Sequence, residues 1–600
     1  MHMSRKNQEK KDRIAQWVYD TRSILGRFHL WLEDVEVEWV KGEPGSDELT
    51  GNISFLEGGM ERLFAVTGAV TALGTQLFGR FGAGAGLDKK GLNQVKKDAD
   101  AISAYAMSEC LWYLSRQLPE NHAIMVCLGE GLMPKAGETP EMGSNPLLGF
   151  GRVYARPCVA QKLDRMIQRL VNDPGYGWEP FYREIKESRI TIWGAAIDTL
   201  ENTSRFAKGR DTGPMTVLHL FDQPLKITRP YEGYIGSLFL PREVVDTAAD
   251  RSQLIHFHTP RRLVLEVIEH TYPGMRRENI HVWTLRGKSR EDRIGKLWAE
   301  WQELGVHLVD DGWKLPGGTA AFTESGTYAP TYSVGTWQDE AGDSHLFLCD
   351  GYAASAEAMQ AASLCPLLNI EGFLSVFTSN FKLPYDREHD VMALDPEAGD
   401  FPARLKELAG HRLEVDDALI EHYREMIRDG IAAGIPVEKR WIGADDFFPE
   451  KSWQVLAVSG YMKPDPYSGA PGVEKVGENL YRVTVRLAGP RGDKRVTLTL
   501  RFDKSPAESK LVFNPLLNRF IGGEDYTTRP VKISDSGRIR NELQTLCSEA
   551  LEFFGEKGIR VYFDRIPPEV IPPAHRQKLR QILNWYKEHH PIWFSWLETG

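Results

Sequence analysis

The chain has 600 residues, 42 % of them apolar and 26 % charged, and 73 Lys+Arg against 83 Asp+Glu give a net charge of −10. At about 100–200 residues per domain this allows several packed units and excludes a peptide ligand or a disulfide-stapled mini-domain. The acidic balance gives no global attraction for nucleic acid or an anionic membrane, so an anionic substrate must be met by local basic residues or a bound cation.

Residues 8 to 33 carry Ile14, Trp17, Val18, Ile24, Leu25, Phe28 and Leu32 at helical spacing, which predicts an N-terminal helix serving as a docking arm or a contact in a homo-oligomer. A Gly- and Pro-rich break at 42–51 ends it. A long helix is expected from Leu56 to Phe78. Its apolar stretch, diluted by threonines, glycines and Gln76, is too short for the roughly 20 apolar residues that span a bilayer, so it reads as a core helix. The turn from Gly79 to Gly86 precedes a second helix, Val95 to Gln117. Gly82, Gly84 and Gly86 have the look of a dinucleotide loop, but such a loop follows a strand and this one follows a helix.

From Ala123 onward, the apolar runs Ile124–Leu128, Ile190–Ile197, Met215–Leu220, Ile280–Leu285, Val306–Val309 and His345–Cys349 read as strands between helical segments, an α/β pattern. Arg277–Asp311 reads as a complete parallel crossover: a strand, the basic turn Arg286–Arg290, a helix over Glu291–Leu304, Gly305 as its cap, and a second strand. A further α/β segment follows Leu413, with a helix over Asp416–Ala433, strands near Trp453–Ser459 and Tyr481–Leu487, and a hairpin return over Arg495–Phe502. The tail from about residue 505 is expected to end in a Trp- and His-rich helix. The six cysteines, Cys110, Cys127, Cys158, Cys349, Cys365 and Cys547, form no C-x-x-C pair, and no apolar stretch follows the opening Met-His-Met-Ser-Arg-Lys. A soluble cytoplasmic protein without a membrane partner is expected.

The candidate chemistry lies in carboxylates at predicted element ends, because oxygen ligands there are how an α/β enzyme holds hard divalent cations. Ile124–Leu128 runs into Gly129-Glu130-Gly131. Ile190–Ile197 runs into Asp198-Thr-Leu-Glu201-Asn-Thr203. His345–Cys349 runs into Asp350-Gly351 and an alanine-rich helix, and Lys97-Asp98-Ala99-Asp100 stands at the start of the second helix. Singly, Asp100 or Asp350 also reads as a helix N-cap and Glu130 as a solvated turn.

Taken together, these segments resemble the class II fructose-1,6-bisphosphatases of the lithium-sensitive sugar-phosphatase fold, over roughly residues 55 to 505. Val126-Cys-Leu-Gly-Glu130-Gly is similar to that family's Val-Ile-Gly-Glu-Gly-Glu. Asp198-Thr-Leu-Glu201-Asn-Thr203, followed by Ala207-Lys-Gly209, resembles Asp-Pro-x-Glu-Gly-Thr followed by Ala-x-Gly. The resemblance implies a layered αβαβα fold with N- and C-terminal extensions. It divides the chain into a helical extension (1–50), a metal-binding α/β subdomain (51–250), a second α/β subdomain with substrate-binding turns (251–505) and a C-terminal helical extension (506–600). It implies Mg2+ or Mn2+ held by Asp100, Glu130, Asp198, Glu201 and Asp350, with Thr203 orienting a water. Tyr234, Lys288 and Arg290 would contact phosphate, and Asp311 with Gly312 the sugar. The implied reaction is hydrolysis of fructose 1,6-bisphosphate, a step of gluconeogenesis.

The motif is altered at Leu132, Thr199, Asn202 and Trp313, where the family has Glu, Pro, Gly and Asp. Trp313 favours a phosphatase acting on a different sugar or inositol phosphate, and the altered glycine with the added termini favours a catalytically silent scaffold. His256-Phe-His258 places two imidazoles on one face of an expected strand, without a third soft ligand nearby. G-x-S-x-G and P-loop motifs are absent.

Overall fold

The computed structural model describes residues 5–42, 59–129, 148, 151–172, 175–226, 234–257, 259–324, 326–376, 394–409, 414–432, 447–503, 509 and 513. The protein is α/β and divides into two compact units: Met1–Pro230 with Ser452–Asp465 and Gly469–Gly600, and Tyr231–Lys451 with Pro466–Ser468. In chain order the strands are β1 (Leu30–Gly42), β2 (His122–Leu128), β3 (Val153–Ala155), β4 (Thr191–Glu201), β5 (Met215–Phe221), β6 (Tyr234–Pro241), β7 (Ile280–Trp283), β8 (His307–Leu308), β9 (Gly335–Gln338), β10 (Ser344–Ala354), β11 (Ile370–Val376), β12 (Val455–Tyr461), β13 (Val473–Gly477), β14 (Leu480–Gly489) and β15 (Gly492–Phe502).

The first unit is built on a sheet ordered β1-β15-β14-β12-β5-β4-β2-β3, with β13 beside β14. The N-terminal segment, expected as a helical extension, is the helix Arg5–Arg27 followed by β1, which pairs antiparallel with β15 along nearly its whole length. Alternation explains the strand. Leu30, Leu32 and Val35 are buried, and Glu33, Glu36 and Glu38 meet Arg501, Arg482 and Arg495 on the exposed side. The helix Gly59–Phe78 is buried from Gly59 to Thr75. Small residues let it lie close to the sheet: a Cβ on Gly460 of β12 would stand 2.2 Å from the Gly68 carbonyl oxygen. Its apolar stretch therefore serves the core, and no helix among the described residues is long and apolar enough to cross a membrane.

The second helix begins at Lys89, earlier than its periodicity predicts, because Asp88 caps it by accepting the Gly91 amide at 2.7 Å. It runs to Ser115, so Asp100 sits in its middle and not at its start. The glycine-rich turn that precedes it has a packing role. The Gly82 and Gly84 amides donate to the Phe206 and Ala207 carbonyls at 3.1 and 2.8 Å. Gly82 and Gly209, both at positive φ, approach so closely that a Cβ on Gly209 would lie 2.9 Å from Gly82 Cα.

The second unit holds a sheet ordered β11-β6-β10-β7-β8, with β9 beside β10. β7, the helix Lys288–Glu303 and β8 form the expected parallel crossover, and Gly305 at φ +79° turns the chain out of the helix. The helix starts at Lys288 and not at Glu291, so Lys288 and Arg290 belong to its first turn. β10 is longer than its apolar run suggests. It continues through Asp350-Gly351 to Ala354, paired with β6 on one side and β7 on the other, and the helix Ser355–Ser363 starts only then.

Candidate metal centre

β4 carries the acidic motif and lies between β2, parallel to it, and β5, antiparallel. Its register against β5 breaks between Asp198 and Glu201, so the strand bulges where the acids are. Inside the bulge the Leu200 amide donates to Asp198 Oδ1 at 3.1 Å. Asn202 follows at φ 67°, ψ 39° and ends the strand, and the helix Thr203–Ala207 begins. Left-handed backbone favours glycine, and asparagine is among the few other residues that enter it readily. Asn202 thus makes this left-handed turn without a glycine, and its Nδ2 ties the turn to the Gly213 carbonyl at 3.1 Å.

Thr199 is fully buried, and its hydroxyl shares a 2.8 Å hydrogen bond with Ser103, whose Oγ also donates to the Asp100 carbonyl at 2.8 Å. That link fixes the helix Lys89–Ser115 to the bulge. It brings Asp100 to face Asp198, and it sets Thr203 Oγ1 3.4 Å from Asp100 Oδ1 while Thr203 donates to the Leu200 carbonyl at 2.8 Å. Asp198 and Glu201 each offer a carboxylate oxygen within 4.8 Å of the other. Glu201 is buried, and Asp100, Asp198 and Thr203 are partly exposed.

Electrostatics at the centre are unfavourable to the charged acids. Burial raises the Asp100 carboxyl from its ordinary 3.8 to about 8, and Asp198 adds to the rise, while Lys96 and the Thr203 hydroxyl pull it back. Carboxylate oxygens are hard donors, and a cation would relieve the repulsion between them, so the residues present fit a metal ion with a preference for oxygen ligands. Asp98, two residues before Asp100, is committed elsewhere, to Arg80 and Gln94.

The other expected site residues are placed as follows. Glu130 lies outside the described residues; the strand that leads to it, β2, ends with Leu128 paired to Ala196 of β4. Asp350, expected at a strand end as a metal ligand, is fully buried inside β10 in the second unit. Both its oxygens are engaged: Arg261 Nε donates to Oδ2 at 2.5 Å and Nη2 to Oδ1 at 2.8 Å, and the Trp301 indole donates to Oδ2 at 2.7 Å. Burial pushes the Asp350 carboxyl up, and the Arg261 guanidinium and the two sets of donors pull against it. Its role in the structure is that of a paired core anion and corrects the expectation of a ligand, because a guanidinium already supplies the neutralising charge.

Tyr234 opens β6 and Lys288 opens its helix; their side chains lie outside the described residues. Arg290 donates to the Arg286 carbonyl at 3.1 Å. Asp311 Oδ1 accepts the Thr323 amide at 3.1 Å, and Gly312, at φ +91°, donates to the Ala321 carbonyl. Trp313 is half-buried against His281. His256 is not on a strand: it precedes the helix Arg261–Thr271 in irregular backbone, its amide donating to Thr259 Oγ1, and His258 lies outside the described residues. Ser103 and Lys96 carry no signal in the sequence, and Thr199 stands out there only as a departure from the resembled motif. A hydroxyl at each end of a helix–strand contact leaves no local pattern.

No protein-family model matches the chain, and a search of curated proteins finds no relative.

Proposed function

We propose that the protein is a divalent-metal-dependent phosphatase acting on a sugar phosphate, with fructose 1,6-bisphosphate the first substrate to try and the layered sugar-phosphatase fold as its architecture. The observation that carries this reading is the facing pair Asp100 and Asp198, with a Glu201 oxygen within 4.8 Å of one of Asp198 and the Thr203 hydroxyl beside Asp100. Two acids held against each other raise the cost of ionising Asp100, a cost that Lys96 offsets in part and a cation would offset further.

When bound, Mg2+ or Mn2+ would neutralise phosphate oxygens and acidify a water. Asp100, Asp198 and Glu201 would hold the cation. The bulge and the Ser103–Thr199 bond orient these acids from two different elements, so little reorganisation is needed when substrate arrives. Thr203, pinned through its own proton to the Leu200 carbonyl, keeps oxygen lone pairs free to orient an attacking water. Asp100, within reach of that hydroxyl, can take up the proton released.

A phosphate-release screen over sugar phosphates, with magnesium or manganese and with a chelator, tests the reading. Turnover that disappears with chelation and returns with either cation is the expected result. Full turnover in the chelated protein, or none with any phosphate ester, removes it.

A further inference from the structure

Three histidines of the second unit stand in line across its sheet. His281 of β7 contacts its neighbours through both ring nitrogens: Nδ1 lies 2.7 Å from His307 Nδ1 of β8, and Nε2 lies 2.9 Å from His345 Nδ1 of β10. His345 Nε2 lies 3.4 Å from Asp339 Oδ2, in the turn between β9 and β10. The His281 and His345 rings are within 10° of coplanar at 5.2 Å between centroids, the geometry of an in-plane N–H···N bond. Trp337 lies nearly parallel to both rings, and Trp313 packs on His281 at 4.6 Å.

The order of these bonds sets the tautomers. Asp339 holds its carboxyl below the usual range by accepting the Asp343 and Ala341 amides, both at 2.9 Å to Oδ1, so it is an acceptor only. His345 Nε2 therefore carries a proton, and a neutral His345 accepts at Nδ1 from His281 Nε2–H. His281 Nδ1 in turn accepts from His307 Nδ1–H. Each imidazole supplies one proton, every nitrogen between rings is satisfied, and His307 Nε2 keeps a lone pair.

We propose that His307, His281 and His345 form a proton-conducting chain that takes up one proton at His307 Nε2 and delivers its charge to His345 beside Asp339. Uptake at His307 Nε2 sends the His307 Nδ1 proton to His281 Nδ1 and the His281 Nε2 proton to His345 Nδ1. Both inter-ring bonds reverse, none is lost, and the imidazolium ends next to a carboxylate. A second proton has no such place, since it would set two N–H groups against each other across a contact of under 3 Å. Acidification thus has two stages for Trp313 and Trp337: a reversal beneath intact packing, then opening.

Charged groups flank the chain at both ends. Burial lowers the His307 imidazole; Asp310 beside it favours an arriving proton, and Arg286, ion-paired to Asp310, opposes it. Burial holds the His281 imidazole down to about 3, with His307 and His345 adding to the effect, so charge passes through it without resting there. On the short turn Arg277–Asn279, packed against β8 and β10, Arg277 is paired to Glu269, and the preceding Arg276 is paired to Glu278 and Asp343. On the helix packed against β8, Glu300 accepts the Arg261 amide. Lys314 follows Trp313 and is exposed.

The test is imidazole nitrogen NMR on the full chain labelled with 15N-histidine, assigned with single His→Gln variants. At pH 8 His281 should carry its proton on Nε2. On acidification it should switch to Nδ1 at the same midpoint at which His307 switches from Nδ1 to Nε2. Asp339→Asn, at an exposed turn, should lower that midpoint by about one pH unit. His281 keeping Nε2–H through the titration overturns the proposal, as does His281 already protonated on Nδ1 at pH 8, or a midpoint unmoved by Asp339→Asn. None of these readouts depends on phosphatase activity.

Discussion

Asp100 and Asp350 carry the same sequence signal, an acid beside an apolar run and ahead of alanines, and the two units treat them in opposite ways. Asp350 is fully buried, but Arg261 and the Trp301 indole occupy both its oxygens. Asp100 is partly exposed and faces a second acid, with Lys96 as a weaker counterweight. A carboxylate whose charge is matched inside the protein belongs to the core. One that faces a second acid is the ligand proposed for a cation, which would lower the cost of holding both charges.

The largest effect that would break this contrast is at Asp350. Arg261→Ala leaves a buried carboxylate unpaired and should cost about 3–5 kcal/mol in denaturant unfolding. Arg261→Met with Asp350→Leu should recover most of that loss. If Arg261→Ala alone is harmless, the pair is not what neutralises Asp350.

Asp100→Asn should lower metal-stimulated phosphate release by about a hundredfold or more, with unfolding in chelator no worse than that of the parent. Loss of stability equal to that of Arg261→Ala would place Asp100 among the structural anions and erase the contrast.

The pH dependence sharpens it. Because the folded protein holds the Asp100 proton more tightly than the unfolded chain does, its contribution to stability is full below about pH 4. It declines as pH rises toward about 8, then levels off. Denaturant midpoints in chelator, followed from pH 5 to 8, should fall with pH more steeply than those of Asp100→Asn, and saturating magnesium should reduce the slope. Parallel curves for the two proteins would contradict the raised Asp100 carboxyl.

The smallest effect is at Ser103. Removing its hydroxyl by Ser103→Ala forfeits the bond to Thr199 at a cost of about 1 kcal/mol. It should weaken manganese binding, measured by titration of the metal-free protein, more than a surface Ser→Ala does.

Much of the frame was legible because it rests on local rules. Alternation and apolar runs located β2, β4, β5, β12, β14 and the β7–helix–β8 crossover to within a few residues. The acids Asp198 and Glu201 were legible as neighbours in sequence, but the strand expected to end at Ile197 continues to Glu201, and the left-handed turn at Asn202 with the helix start at Thr203 came only with the structure. β10 was read too short, since polar Asp350 ended the apolar run although Arg261 and Trp301, 89 and 49 residues away in sequence, make it a core residue.

What the sequence alone determined, then, was the α/β character, most strand positions and the acidic motif on β4, because each follows from periodicity and from the preferences of neighbouring residues. The tertiary structure decided which acids face an acid and which face an arginine. It also gave the glycine-rich turn its packing partner at Gly209 and lined up His307, His281 and His345 from three strands. Those outcomes depend on distances between residues far apart in the chain, and charge matching is a property of such distances and not of any local pattern.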